Sequence, residues 1–264
     1  MIRRQAWWVL LAATAWCGAQ ADDTPAPATD GTWASRAAAG YTKTGGNTDT
    51  STGNALFHIA HVVDDWKFLF GAEGLYGSTH GETTAQAWDA HFQANYNITE
   101  RLYWFGGLRY DDNKFSGFNY QETISTGVGY QFIKTDDTKL SGQVGVGERR
   151  LRPEILTEDS VGAITATTEL PAESDTVVDA AINLNHSFNA TTKVIAGLAV
   201  ESGRLNTMTT AGIALQVKMT NVLALSAGYQ LVRNSKPPPG VGSSATLTTL
   251  NLVYELKNPK LAPE

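Results

Sequence analysis

Trp88-Asp89-Ala90-His91-Phe92-Gln93-Ala94-Asn95-Tyr96 alternates without a break between apolar and polar side chains. Successive side chains of a β-strand point to opposite faces. As a strand, this stretch puts Trp88, Ala90, Phe92, Ala94 and Tyr96 on one face and Asp89, His91, Gln93 and Asn95 on the other. A tilted strand of about 9–11 residues crosses a bilayer, whereas soluble strands average nearer five or six. The pattern therefore predicts a strand with lipid on one face and a polar interior on the other.

The same period of two recurs along the chain. Phe68, Phe70, Ala72 and Tyr76 share one face against Lys67, Gly71 and Glu73. Ile213, Leu215, Val217 and Met219 oppose Gly212, Ala214, Gln216 and Lys218. Leu223, Leu225, Ala227, Tyr229 and Leu231 oppose Ser226, Gly228 and Gln230, and Leu250, Leu252, Tyr254 and Leu256 oppose Thr249, Asn251 and Glu255. Strands are expected at 33–44, 50–62, 66–77, 84–96, 101–111, 121–132, 139–149, 174–187, 191–203, 206–219, 222–232 and 244–256. Proline cannot donate to a strand ladder. Pro25, Pro27, Pro153, Pro171, Pro237, Pro238, Pro239, Pro259 and Pro263 all fall in tails or proposed connections.

Short polar turns stand at Asp64-Asp65, 97–100, 135–138, 189–191 and Thr220-Asn221. Longer connections lie between them, notably 150–173 and 233–243. Outer-membrane barrels have short periplasmic turns and longer outside loops. The expected fold is all-β: a transmembrane antiparallel β-barrel of about 12 strands over residues 33–256, both termini periplasmic. Aromatic rings favour the headgroup level. Trp33, Trp66, Tyr96, Phe132, Phe188 and Tyr254 are placed in one girdle, and Tyr41, Tyr76 and Tyr110 in the other.

The N-terminus fits export. Arg3 and Arg4 precede an apolar run from Ala6 to Trp16, and Ala19-Gln20-Ala21 supplies a small-x-small cleavage site. The run is short of the roughly 20 residues a membrane anchor needs. Residues 1–21 are read as a cleaved signal peptide, 22–32 as a flexible leader and 257–264 as a C-terminal tail. Cys17 is the only cysteine, so a mature chain starting at Asp22 has no disulfide, thiolate nucleophile or Cys-ligated zinc. The full chain carries a net charge of −6, and loss of the two arginines makes it more acidic still, which excludes a nucleic-acid partner. Beyond the signal, no apolar run is long enough for a membrane helix, and alternating barrel strands are not found by that test.

Several quoted stretches resemble a known family. They are Gly40-Tyr41-Thr42-Lys43-Thr44-Gly45-Gly46-Asn47-Thr48-Asp49-Thr50; Tyr96-Asn97-Ile98-Thr99-Glu100-Arg101-Leu102-Tyr103-Trp104-Phe105-Gly106, continuing to Asp111 and Phe115-Ser116-Gly117; Gly127-Val128-Gly129-Tyr130 with Thr135-Asp136; and Asn234-Ser235-Lys236-Pro237-Pro238-Pro239-Gly240. In order and spacing they are similar to the salt-induced outer membrane proteins, the YdiY-like family (domain of unknown function 481), across residues 33–256. The resemblance implies an outer-membrane location and a link to salt or osmotic stress, and no active site. Bacterial barrels commonly end on an aromatic residue, whereas here Tyr254 and Leu256 are followed by residues 257–264.

The inward faces are expected to carry Arg36, Glu73, Asp89, Arg109, Arg149, Asp179, Glu201, Lys218 and Glu255. Charges there must meet water or partners. Two arrangements satisfy this: a polar pore for small solutes or ions, partly gated by loop 150–173, or a salt-bridged plug. Small inward residues (Gly71, Gly107, Gly127, Gly145, Gly197, Gly228) fit either an open lumen or a squeezed barrel. Glu148-Arg149-Arg150-Leu151-Arg152 sits at the outer rim, where Arg149, Arg150 and Arg152 could meet lipopolysaccharide phosphates. That gives an alternative role as a structural or lipopolysaccharide-binding barrel without transport. A spacing of three puts His58 and His61 on opposite strand faces, against a shared metal. His186 has no serine on its own face nearby, which argues against a lipid hydrolase. No catalytic residue, metal or cofactor is expected. The partners expected are outer-membrane lipid, lipopolysaccharide and, during biogenesis, the barrel-assembly machinery, with the protein itself a monomer.

Overall fold

The computed structural model describes residue 31 and residues 33–44, 50–114, 116–158, 164–238 and 242–258. The signal peptide assigned to 1–21 lies outside the described residues. So do the leader at 22–32, apart from Gly31, and the tail at 257–264, apart from its first two residues.

The described elements are strands: β1 (Trp33–Thr44), β2 (Thr50–Val63), β3 (Trp66–Thr79), β4 (Glu82–Asn97), β5 (Leu102–Asn113), β6 (Phe118–Lys134), β7 (Thr138–Glu158), β8 (Ile164–Glu169), β9 (Glu173–Ser187), β10 (Thr192–Gly203), β11 (Thr207–Lys218), β12 (Leu223–Asn234) and β13 (Ser244–Asn258). Strands consecutive in sequence pair antiparallel, except β8 and β9; β8 pairs only with β7, β7 pairs with β9, and β1 pairs with β13. The result is a closed ring of twelve strands, with β8 outside it. Closure removes the open sheet edges that would otherwise be left with unpaired backbone groups. Every ring strand has at least 12 residues, enough to cross a bilayer at a tilt.

The outer wall is apolar and the interior is polar. Leu108, Ile124, Val144, Val178, Ile213 and Leu250 are exposed, while Arg36, Asp89, Arg109, Arg149, Asn183 and Gln216 are buried. In water this distribution would leave a large apolar surface exposed and pack charges into the core. It is the distribution expected when hydrocarbon is the outside solvent.

Both described termini lie at one end of the ring. That end also carries the turns at 64–65, 98–101, 135–137, 188–191 and 219–222. The far end is mixed. It includes the nine-residue connection 235–243, but also a two-residue hairpin at His80-Gly81. The φ angles of His80 (52°) and Gly81 (87°) are both positive, as a type I′ turn requires.

The expected loop at 150–173 is mostly strand. β7 runs on to Glu158 and pairs with β8 through Glu154↔Glu169, Ile155↔Thr168 and Leu156↔Thr167. Pro153 therefore lies inside a strand. It is tolerated because the ladder with β6 is irregular there, between Phe118 and Tyr120. Its carbonyl accepts the Leu170 N–H, and the Glu154 N–H goes to Gly117 O.

Candidate functional site: the barrel interior

Pairing register determines which inward side chains meet. At the far end, Arg149 is 0% exposed. Its guanidinium donates to Glu201 Oε1 at 2.9 Å, to Asn206 O at 2.7 Å and to Asp175 Oδ2 at 3.5 Å. Arg109 Nε forms an ion pair with Asp111 Oδ2 at 2.6 Å, and its Nη1 lies 3.8 Å from Glu201 Oε2. Arg109 is on β5 and Glu201 on β10, so this contact bridges across the lumen over three intervening strands. Removing one partner of such a buried pair costs about 3–5 kcal/mol, because it strands the other charge away from water.

Toward the terminus-bearing end, Glu255 accepts from Lys193 Nζ at 3.1 Å and from Gln216 Nε2 at 2.7 Å. Arg36 Nη2 donates to the Gln216 carbonyl oxygen at 3.4 Å. These contacts tie β1, β10, β11 and β13 together. Between the two clusters, His58 Nε2 stands 3.2 Å from Glu73 Oε1, and His91 Nδ1 stands 3.6 Å from Asp89 Oδ2. The two imidazole rings are 5.8 Å apart. Asp179 is half-buried on the wall of a cavity. Lys218 is exposed at the terminus-bearing end, paired in register with the buried Ala224.

Two cavities among the described residues lie between these clusters. The first, about 60 Å³, is lined by His58, His91, Phe105, Arg109, Thr123 and Asp179 among others. The second, about 100 Å³, is lined by Arg36, His58, Glu73, Asp89, Gln230 and Asn251 among others. His58 borders both. Each is large enough for a few waters. In the first, the side-chain oxygens of Thr123, Gln143 and Asp179 include buried atoms without a protein hydrogen-bond partner, as expected where water completes the bonding.

The interior glycines make room for rings. A Cβ on Gly127 or on Gly145 would come within 2.8 Å of the Phe105 ring, and one on Gly129 would overlap Tyr103. A Cβ on Gly71 would collide with His91. These glycines give up their space to neighbouring side chains, so they do not widen the lumen. Phe105 is 1% exposed.

On the outer wall, Trp33, Trp66, Tyr96, Phe132, Phe188 and Tyr254 are exposed near the terminus-bearing end, and Tyr41 and Tyr76 near the other. Trp33 stacks on His61, while His58 points inward. Tyr110 is half-buried in a ladder in which Trp88 stacks on Tyr110 and Tyr110 on Tyr120, with Arg152 over the Tyr120 ring. Of the three rim arginines, Arg149 is enclosed in the interior and cannot reach lipid. Arg152 is held by Glu169 at 3.0 Å. Arg150 is exposed, with no ion-pair partner among the described residues. Thr138 Oγ1 lies 2.8 Å from His186 Nδ1, but no carboxylate among the described residues orients that ring.

His58, His91, Asp111, Asp175, Lys193, Gln216 and Asn206 also belong to the interior, beyond the nine charged side chains expected there from sequence. Strand parity alone finds His91 beside Asp89, and Asp111 beside Arg109. Asp175 shares the parity of Asp179 within the expected strand at 174–187, whereas Asn206 lies in the turn before β11 and bonds Arg149 through its backbone carbonyl.

The model of the family described as "Protein of unknown function, DUF481" matches residues 37–256. The chain belongs to the DUF481 family. No curated protein sequence matches this family member. Among solved structures it is similar to the beta domain of the Bordetella autotransporter Brka, at 12% identity and a TM-score of 0.43, covering 85% of this chain and 98% of that one. It is similar to a NanC porin at 11% identity and a TM-score of 0.44, covering 84% and 100%. It is similar to the Pseudomonas putida toluene transporter TodX at 14% identity and a TM-score of 0.38, covering 87% and 90%. Similarity at this level carries no functional information about the DUF481 chain.

Proposed function

We propose that this protein is a non-enzymatic, monomeric barrel of the bacterial outer membrane, with both termini in the periplasm, that acts as a narrow passive pore for water and small ions. Its role is envelope adaptation to salt or osmotic stress. One observation carries the pore reading: a charged, water-accommodating interior that holds cavities of about 60 and 100 Å³. A lumen meant only as a plug has no need of polar voids, and a wide porin would not be braced across its width. Twelve strands lie between filled eight-stranded barrels and open sixteen-stranded porins.

Planar-bilayer recording tests this. Folded protein is expected to give small, reproducible conductance steps, well below those of an open sixteen-stranded porin recorded in the same salt. Silence from folded protein overturns the pore.

A second reading is a structural barrel that holds lipopolysaccharide. It is favoured by Arg150, exposed and unpaired among the described residues beside the aromatic ladder. Arg150→Glu should then weaken lipopolysaccharide binding without unfolding the barrel. Glu122, opposite Arg150 in the ladder, works against an anion at that position, so the pore is the preferred reading.

A further inference from the structure

A shallow groove of about 490 Å³ crosses the outer wall over β3, β4, β5, β6, β7 and β9. Two ladder rows run along it. One is Phe70–Phe92–Leu108–Ile124–Glu148–Thr176, and the other is Ala90–Tyr110–Glu122–Arg150–Ser174. Strand tilt makes both rows oblique to the barrel axis. Phe70 stands in the half of β3 nearer the terminus-bearing end, whereas Ser174 directly follows Glu173, the first residue of β9, at the far rim.

The groove changes character along this path. Phe70, Phe92, Leu108 and Ile124 are apolar and exposed. Toward the rim come Glu122, Glu148, Arg150 and Ser174, also exposed. Strand gaps of about 4.8 Å make the path from β3 to β9 about 24 Å long. One leaflet, hydrocarbon and headgroups together, is about 20–22 Å deep. The groove thus has the length and the polarity gradient of one amphiphile lying along the wall, with its tail toward mid-wall and its head at the rim.

The charges at the polar end restrict that head. Arg150 pairs in register with Glu122, and Glu148 precedes it by two residues on the same outward face. None of the three has an ion-pair partner among the described residues. Glu148 Oε2 accepts from the Thr176 hydroxyl at 3.3 Å. Carboxylates on a lipid-facing wall are costly unless a cation reaches them. A purely anionic head would meet two carboxylates for one guanidinium, and a purely cationic one would leave Arg150 opposed. A head of both signs satisfies all three side chains, its phosphate on the guanidinium and its cation between the carboxylates. A primary ammonium donates three hydrogen bonds, whereas a trimethylammonium donates none.

We propose that this groove holds one phosphatidylethanolamine, with its phosphate on Arg150, its ammonium between Glu122 and Glu148, and an acyl chain along Ile124, Leu108, Phe92 and Phe70. The site does not depend on the pore reading. It differs from the lipopolysaccharide reading in requiring the two glutamates as well as the arginine.

Native mass spectrometry of the folded barrel, released from micelles doped with one lipid at a time, tests the site. The probes are phosphatidylethanolamine, phosphatidylcholine and phosphatidylglycerol with identical acyl chains. The barrel is expected to retain one phosphatidylethanolamine, about tenfold more than either other lipid, the difference one charge-assisted hydrogen bond makes. Glu122→Gln combined with Glu148→Gln should bring phosphatidylethanolamine down to the phosphatidylcholine level, and Arg150→Gln should lower retention of both. Heat-modifiable gel migration checks folding. The lipid comparison uses the unaltered chain, so it is decisive even where a variant does not fold. Equal retention of the three lipids, a preference for phosphatidylglycerol, displacement of phosphatidylethanolamine by lipopolysaccharide, or a lipid-free dimer overturns the site. So does phosphatidylethanolamine retention that the double glutamate change leaves untouched.

Discussion

Phe105→Ala should both destabilise the barrel and open it. The ring is buried between Gly127 and Gly145 and borders the first cavity. Truncating a buried phenylalanine costs about 3–5 kcal/mol in a close-packed core, and the residual void sets where in that range the cost falls. Here the void joins a polar cavity of about 60 Å³ that water can enter, so the expected loss is near the lower bound, about 3 kcal/mol. Equilibrium unfolding in denaturant from lipid vesicles, followed by gel mobility without boiling, gives the stability change. Bilayer recording of the same preparation should show larger conductance steps than the parent. A loss below about 1 kcal/mol together with unchanged steps would refute the reasoning, because it would mean the ring neither fills nor obstructs the lumen.

Leu250→Arg places a charge midway along the exposed face of β13. If hydrocarbon surrounds that face, vesicle-based unfolding should show a loss of about 2–4 kcal/mol, and a neutral result would contradict the membrane reading. Gly129→Ala should destabilise by about 1–3 kcal/mol through overlap with the Tyr103 ring and should be much milder in a Tyr103→Ala background. Equal effects in both backgrounds would show that the ring is not the obstacle. Glu154 lies beyond the ring, on the β7–β8 ribbon, and its burial, with Glu169 and Asp112 nearby, raises its pKa. A carboxyl whose folded pKa is raised stabilises the fold below its unfolded pKa and loses that contribution as pH rises through the folded value. Lowering pH toward the unfolded carboxylate range should therefore raise the protection of β8 amides, measured relative to the intrinsic exchange rate at each pH, and Glu154→Gln should give the higher protection at neutral pH. Protection that is indifferent to both changes would contradict the shift.

The closed ring was legible because lipid and lumen impose a period of two that local sequence alone satisfies. Trp88 to Tyr96, Ile213 to Met219 and Leu223 to Leu231 all state their faces without reference to a partner. The ribbon at β7–β8 was not legible. Both faces of Thr165–Glu169 are exposed, so no alternation marks the strand, and Pro153 looks like a breaker until the ladder irregularity opposite it is known. In the interior, parity shows that Arg109 and Glu201 point inward but not that they meet. That contact depends on register summed over several hairpins and on how far the ring is flattened. Asn206 contributes its backbone carbonyl, which no side-chain pattern reports.

The glycines beneath Phe105 and Tyr103 bear on how such a conduit could be re-bored. Enlarging a residue at those sites would jam the assembly, and the sites are already as small as they can be. Bore is therefore adjustable only by trimming the rings that lean over them. A lineage or an engineer seeking a wider passage would change the aromatics first and leave the glycines alone.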